Sequence, residues 1–207
     1  MDFPMLRKNV MPKKLRPKDS LDTEQNIFEA TEYCFNLYGI QKTTLSDIAK
    51  RAGTSRVTLY RMFKDRQALI DAVLLRNIER YWNEIADELS ELDDLGDWLV
   101  EGILLYQKRF AMDDLVRLYR QINGFAEGFR VATTQAGYNC VSRHFQHLYQ
   151  RAYEEKRVDQ MLSIEDIADW VHRTNLSLVQ FPSGRLKKPA KLRAWISAQI
   201  KTGLVSG

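Results

Sequence analysis

The chain has 207 residues, 44% of them hydrophobic and 28% charged, which is the composition of one large or two small globular domains. The sequence lacks the roughly 18 consecutive apolar residues of a membrane span, and its charged start does not fit a signal peptide, so we expect a cytoplasmic protein. The net charge of +4 is concentrated in residues 1–70, which hold 13 Lys and Arg against 8 Asp and Glu; this suits an anionic partner such as DNA, or a solvated basic tail.

Residues 1–20 are predicted to be a disordered basic arm, because they hold three of the five prolines, many charges and no lasting apolar period. After the arm, apolar residues recur at helical spacing almost everywhere, and no strand-like alternation of any length occurs. Cys34 and Cys140 lie within such helical patterns and are expected to be reduced and structural. The sequence therefore predicts an all-α protein with about nine helices.

The first four predicted helices run from about Asp22 to Tyr38, from Thr44 to Gly53, from Ser55 through Phe63 and from Asp65 to about Leu89. Thr44, Ser55 and Asp65 have the short acceptor side chains preferred at N-caps, and Gly39 and Gly53 supply helix ends. The later helices are predicted at about 95–110, 113–123, 127–156, 164–180 and 190–204, with Gly137 as the candidate bend of the longest one.

The stretch from Thr43 to Leu69 has the pattern of a helix-turn-helix, since Gly53 permits a tight turn between two short helices. If Leu59 and Phe63 are buried, the exposed side of the second helix carries Arg56, Val57, Thr58, Tyr60 and Arg61. Arginine can pair with guanine, valine and threonine methyl groups can contact the thymine methyl, and tyrosine or serine hydroxyls can hold phosphates. The alternative interpretation is a three-helix cap whose surface happens to be basic.

The order of short motifs in this stretch is specific: Tyr38-Gly39, Thr43-Thr44, Asp47-Ile48-Ala49, Ala52-Gly53-Thr54-Ser55, Thr58-Leu59-Tyr60, Phe63 and Arg66-Gln67-Ala68-Leu69. From residue 24 to about 71 the chain resembles the DNA-binding domain of the TetR (tetracycline repressor) family. It departs from the usual family residues at Thr54, Met62, Arg66 and Gln67, which replace valine, an aromatic residue, lysine and glutamate. Arg66 keeps the positive charge, so a phosphate contact there is still expected.

The resemblance implies that Thr44, Tyr60 and Arg66 contact phosphates, and that base reading falls to a triplet at the start of the second helix. That triplet is Arg56, Val57 and Thr58. The full set expected to face double-stranded DNA is Thr43, Thr44, Ser55, Arg56, Val57, Thr58, Tyr60, Arg61, Lys64 and Arg66.

After the basic arm at 1–20, the resemblance implies a helix-turn-helix domain at 21–66 and a helical domain for ligand binding and dimerisation at 67–207. The last two helices would pack against their copies in a homodimer, through Ile167, Val171, Leu178, Trp195 and Ile196. The alternative is that these apolar faces only cover the core of one chain. A two-fold dimer suits a palindromic operator, because it places two recognition helices in successive major grooves.

Aromatic residues are dense in the middle helices and are candidates for lining a pocket for a hydrophobic or aromatic small-molecule effector. The candidate ligand-binding residues are Trp98, Tyr106, Phe110, Tyr119, Arg120, Phe125, Phe129, Tyr138, His144 and Phe145, with His172 as a further polar candidate. Taken singly, each of these aromatic residues is more often part of a core than of a pocket.

Enzyme and metal signatures are weak in this sequence. His144 and His147 are three residues apart, but no cysteine or clear carboxylate ligand accompanies them, and no glycine-rich phosphate loop or Ser-His-Asp arrangement can be argued. We therefore expect no metal, no cofactor and no catalytic activity. The favoured function is a repressor that a small molecule releases from DNA; the alternatives are a helical lipid carrier or enzyme, and a ligand-independent DNA-binding structural protein.

Overall fold

Nine α-helices account for most of the residues that the computed structural model describes, which are 20–112 and 124–205. In chain order they are α1 (Ser20–Tyr38), α2 (Leu45–Ala52), α3 (Arg56–Met62), α4 (Arg66–Glu88), α5 (Leu95–Met112), α6 (Gly124–Ala132), α7 (Gln135–Glu154), α8 (Ile164–Gln180) and α9 (Pro189–Gly203). These ranges contain no β-strand, only an isolated bridge between Val158 and Val205, so the predicted all-α fold is confirmed. None of their helices combines the length and the apolar character that a membrane crossing requires.

The helix ends of the N-terminal region form where the sequence predicts them. Thr44 and Asp47 build a capping box at the start of α2, in which the threonine oxygen accepts the Asp47 N–H and the carboxylate accepts the Thr44 N–H. Gly53 ends α2 with φ of 68°, a left-handed conformation that a β-carbon would strain. Ser55 and Asp65 cap α3 and α4 through the N–H groups of residues three positions further on.

The long helix predicted at 127–156 is two helices, and the break does not lie at Gly137. Helix α6 ends at Ala132, and α7 begins after Thr134, whose hydroxyl oxygen accepts the Gly137 N–H at 3.2 Å. Gly137 has a packing role instead: a β-carbon there would lie 2.3 Å from the carbonyl oxygen of Ala132. A threonine N-cap therefore begins a new helix where the sequence predicts a glycine bend. The helix predicted at 113–123 lies outside the described residues.

Two apolar cores lie along the chain, and α4 belongs to both. The first core combines α1, α2 and α3 with the first half of α4, including Leu69 and Val73, and it also takes in Val131 at the end of α6. The second core combines the rest of α4 with α5, α7, α8 and α9. The boundary predicted at residues 66 and 67 therefore marks the start of a shared helix, and the first core extends beyond it.

We expect Gly137→Ala to lower the free energy of unfolding by about 1–3 kcal/mol, because the added methyl must displace backbone at the end of α6. Gly128→Ala in α6 is the control: its added β-carbon meets nothing within 4 Å, so the variant should be as stable as the wild type or gain about 0.5–1 kcal/mol. Urea unfolding measures both. Equal stability of Gly137→Ala and wild type would contradict the close packing of α6 on α7.

Candidate DNA-binding surface

The turn between α2 and α3 fixes which side of α3 faces outwards. The Thr54 N–H donates to the Ala49 carbonyl at 3.0 Å as the chain passes through Gly53. On the inner side Leu59 is 1% exposed, and the ring of Phe63 lies 5.9 Å from that of Phe28 in α1. Because α3 has only two turns, burial of these side chains turns the remaining ones towards solvent.

The outward side of α3 presents large apolar and cationic side chains together. Val57 is 77% exposed and Tyr60 51% exposed, and Arg56, Arg61 and Lys64 are exposed beside them. A surface of this composition offers guanidinium groups for base edges or phosphates, a methyl group for thymine and a phenol for phosphate. All five residues are exposed, and their contact with DNA stays a prediction.

The short polar residues of the motif form hydrogen bonds at the start of α2 and α3. The Thr44 hydroxyl donates to the Asp47 carboxylate at 2.6 Å, and these hydrogen bonds from Thr44 lower the pKa of Asp47. The Ser55 oxygen accepts the Thr58 N–H and lies 3.0 Å from the Thr58 hydroxyl. Thr44 and Ser55 are exposed and Thr58 is half-buried, so all three lie at the surface with their local hydrogen bonds already formed.

The side chains of Thr43 and Arg66 form hydrogen bonds to backbone carbonyl groups within the N-terminal domain. Thr43 is 1% exposed, and its hydroxyl lies 3.0 Å from the Cys34 carbonyl and 2.8 Å from that of Gly39, so the expectation that its side chain faces DNA is corrected. Arg66 is half-buried and donates to the carbonyls of Thr43 and Ile40. These bonds tie the α1–α2 loop to the start of α4, and they engage the guanidinium that sequence analysis assigns to a phosphate.

The part of the protein that is built on the second core, from the second half of α4 to α9, is called the body. Its aromatic residues form a continuous stack in the interior. Trp98 is 2% exposed and lies parallel to Trp82 at 6.1 Å; Trp82 contacts Tyr106 at 5.5 Å, and Tyr106 stacks on Phe110 at 5.5 Å. Phe145 is fully buried, 5.3 Å from Trp98. Trp98 and Phe145 therefore belong to the core, whereas Tyr106 and Phe110 are only partly buried.

The other candidate ligand residues are dispersed around this stack. The Tyr138 hydroxyl donates to Asp169 at 3.0 Å, and Arg173 lies over the ring of Phe129 at 5.2 Å. His144 accepts from Arg143 at the edge of α7, where burial and then the Arg143 charge lower its pKa. The remaining candidates, Tyr119, Arg120 and the side chain of Phe125, lie outside the described residues.

Sequence analysis missed Trp82, which is part of the stack, and the hydrogen-bonded pair Gln107 and Asn175. Trp82 follows Ile78 by one helical turn on the inner face of α4, and this spacing could have identified it. Asn175 follows Val171 by one turn on the buried face of α8, and a polar residue at such a position indicates a special role. Gln107 donates to the backbone and side-chain oxygens of Asn175 at 3.1 and 2.9 Å.

Three of the five predicted dimer residues lie in the core of the chain itself. Ile167 and Ile196 are fully buried and Val171 is 1% exposed, all within the second core, so their assignment to a subunit interface is corrected. The apolar spacing of α8 and α9 arises from their packing on α5 and α7. Leu178 is half-buried and Trp195 is 40% exposed, so these two stay available at the surface of one chain.

The N-terminal region matches a known family. Residues 27–73 match the family model described as bacterial regulatory proteins, tetR family. An uncharacterized HTH-type transcriptional regulator of Mycobacterium tuberculosis is 36% identical over 101 residues, which are 47% of this chain and 50% of that protein. The chain spans about half the length of this and similar mycobacterial relatives.

Solved structures share the fold over nearly the whole chain. GusR of Salmonella enterica superposes with a TM-score of 0.63 at 22% identity, over 90% of this chain and 97% of that one. The TetR family repressor AlkX of Dietzia sp. superposes with a TM-score of 0.61 at 22% identity, over 92% of this chain and 96% of that one. The arrangement of a helix-turn-helix followed by a helical body is therefore that of these regulators.

We expect Thr43→Val to lower the free energy of unfolding by about 1–3 kcal/mol, because the Cys34 and Gly39 carbonyls both lose their contact with a buried hydroxyl. Thr43→Ser keeps the hydroxyl and is the control. DNA affinity, measured well below the melting temperature, should stay within about twofold for both variants. A stable Thr43→Val protein that has lost DNA binding would restore Thr43 to the DNA-facing set.

The burial of His172 is expected to make the folded protein less stable in acid. Burial lowers the pKa of its imidazole from 6.5 to about 4, against smaller opposing effects of the Gly137 carbonyl and Asp169. The unfolded chain therefore binds a proton that the folded chain excludes, and stability falls as the pH drops from about 6.5 to 4, by about 3 kcal/mol.

The variant His172→Gln keeps a donor for the Gly137 carbonyl but does not titrate, so it should lack this part of the pH dependence. Urea unfolding at intervals between pH 7 and pH 4 measures the difference between the two proteins. Parallel curves for wild type and His172→Gln would contradict a buried, neutral imidazole.

Proposed function

We propose that this chain, whose N-terminal domain belongs to the tetR family of bacterial regulatory proteins, is a transcriptional repressor that a small molecule releases from DNA. It acts in the cytoplasm as a homodimer on a palindromic operator, and it is a regulator rather than an enzyme. The observation that carries the proposal is the outward face of α3, where Val57 and Tyr60 stand exposed among arginine and lysine side chains.

The construction of α3 supports sequence reading rather than charge attraction alone. Ser55 and Gly53 fix where the helix begins, so its side chains have defined positions relative to the rest of the domain. Arg56 and Val57 lie in the first turn of α3, next to each other, and they offer a bidentate donor and a methyl group to neighbouring base pairs. A surface that only attracted phosphates would not need an exposed valine.

A homodimer gives the exposed aromatic residues of the last two helices a partner. Phe181, at the end of α8, is 71% exposed and Trp195 in α9 is 40% exposed on a single chain, with Leu178 half-buried nearby in sequence. We assign the subunit contact to these outer residues, since the inner ones fill the core of each chain. Two-fold symmetry would then present two α3 helices to the two halves of a palindrome.

Release by a ligand requires a path from the body to the DNA-binding domain, and α6 contacts both. Val131 lies in the first core, and Arg130 forms an ion pair with Asp71 in the first half of α4. On its other side Phe129 packs under Arg173 of α8. A ligand that displaces α6 or α4 would change the orientation of α3. A coupling free energy of about 1–3 kcal/mol between the ligand site and the DNA site is enough to change the fraction of DNA that is bound.

The proposal is tested by selecting bound sequences from a random duplex library with the purified protein. We expect enrichment of one palindrome, because a two-fold dimer reads each half-site with the same α3 face. Arg56→Ala and Tyr60→Ala should reduce affinity for the enriched duplex by about tenfold or more, since loss of a base or phosphate contact costs about 1–3 kcal/mol.

The matched control is Arg185→Ala, which removes an exposed arginine from the loop after α8, far along the chain from α3. It should select the same palindrome with unchanged affinity. Circular dichroism should show unchanged helix content in all three variants, because each substituted side chain is exposed. A wild type that enriches no sequence at moderate salt would refute a specific reader.

A further inference from the structure

Trp82 and Asn175, in the body, each have a buried hydrogen-bond donor without an acceptor among residues 20–112 and 124–205. Trp82 is fully buried and Asn175 is 2% exposed, yet neither the indole Nε1 nor the amide Nδ2 has a partner in the part of the chain that the structure describes. A buried donor without a partner costs about 1–3 kcal/mol. Arg76 and Asn77 have similar nitrogens, but both residues lie beside the carboxylate of Glu32 in α1 and so belong to another part of the protein.

The orientation of the Asn175 amide follows from its neighbour. Gln107 Nε2 lies 3.1 Å from the Asn175 backbone carbonyl, which can only accept, so Gln107 must present its NH₂ group. The same nitrogen lies 2.9 Å from the Asn175 side chain, which must therefore present its oxygen. Exchanging the two ends of either amide would break one of these bonds, so Asn175 Nδ2 necessarily points elsewhere.

The two donors belong to residues that lie near one another between α4, α5 and α8. His172, one turn before Asn175, has its ring edge-on to Trp82 at 6.4 Å, and Tyr106, next to Gln107, lies 5.5 Å from Trp82. Tyr106 is deep enough for desolvation to raise the pKa of its phenol, yet its side chain is only partly buried. Tyr106 is thus a partly exposed residue in contact with the fully buried Trp82.

The charged group that acts on His172 in this region is a carboxylate, that of Asp169. Burial keeps the His172 imidazole neutral above a pKa of about 4, and its Nε2 lies 3.3 Å from the Gly137 carbonyl. On α5, Lys108 is exposed to solvent, and Arg109 is engaged by the carboxylates of Glu84 and Glu88. A carboxylate placed against the two donors would lose its hydration without gaining a counter-charge from the described residues, which favours a neutral acceptor.

We propose that the effector is a flat, uncharged aromatic molecule with a carbonyl group, whose oxygen accepts a hydrogen bond from Asn175 Nδ2 or Trp82 Nε1. The stacked rings of Trp98, Trp82, Tyr106 and Phe110 favour a flat shape, and the unpartnered donors select a ketone, lactone, ester or amide over a hydrocarbon or an acid. This inference rests on the proposed function and names the chemistry of its ligand.

Three probes with one tricyclic skeleton test the inference by isothermal titration calorimetry on the full chain. Fluorenone carries a carbonyl, fluorene carries no acceptor, and fluorene carboxylate carries a charge. We expect fluorenone to bind about tenfold more tightly than fluorene, as for a buried donor that gains its acceptor, and the carboxylate to bind most weakly.

The variant Asn175→Leu removes one donor at similar volume and should reduce the preference for fluorenone over fluorene by about threefold or more. Asn139→Leu, at an exposed position of α7, is the control and should keep the wild-type preference. If Asn175→Leu does not fold, Trp82→Phe removes the other donor and should also reduce the preference for fluorenone over fluorene by about threefold or more.

The proposal is overturned if fluorene binds as tightly as fluorenone to the wild type, as it would if water satisfied both donors. Tightest binding of the carboxylate, or no binding of any probe, would also overturn it. The library selection uses no ligand, so an enriched palindrome together with a failed probe series would contradict this inference and leave the repressor function standing.

Discussion

The sharing of α4 between two apolar cores is the constraint on which the rest of the structure depends. This helix has 23 residues, about 34 Å at 1.5 Å per residue, and it joins the DNA-binding domain to the body without a flexible linker. Leu69 and Val73 are fully buried in the first core, and Trp82 and Ile85 are fully buried in the second. A bend or rotation of α4 must therefore disturb close-packed side chains in one core or the other.

Helix α6 forms a second connection between the two cores. Val131 packs in the first core while the adjacent α7 begins so close to α6 that Gly137 has no room for a side chain. Movement of α7 or α8 against α4 would thus reach the DNA-binding domain by two routes. The aromatic stack and the unpartnered donors lie where α4, α5 and α8 meet, which is where an occupant would bear on α4 directly.

The sequence predicted local features well, because their causes lie within a few residues. The caps at Thr44, Ser55 and Asp65 depend on side chains and N–H groups three positions apart, and the short motifs identify the helix-turn-helix. The sequence predicted less well whether an apolar helix face packs within the chain or against a partner. The spacing of Ile167 and Val171 is the same for a helix that packs on its own chain and for one that packs on a partner, so only the neighbouring helices decide.

Features that depend on distant partners were beyond the sequence. Gln107 and Asn175 are 68 residues apart, and that contact orients the amide so that its nitrogen has no acceptor among the described residues. Thr43 looks like a surface threonine in the family motif, and only the fold shows its hydroxyl against the carbonyls of Cys34 and Gly39.

The coupling of the two cores through α4 is measured most directly by pulsed hydrogen exchange with mass spectrometry across a urea transition. Peptides from α2, in the first core, and from α7, in the second, are expected to lose protection at the same urea concentration, because unfolding either core removes side chains that pack on α4. Loss of protection in α2 while α7 is still fully protected would contradict this coupling, since the DNA-binding domain would then unfold as an independent unit.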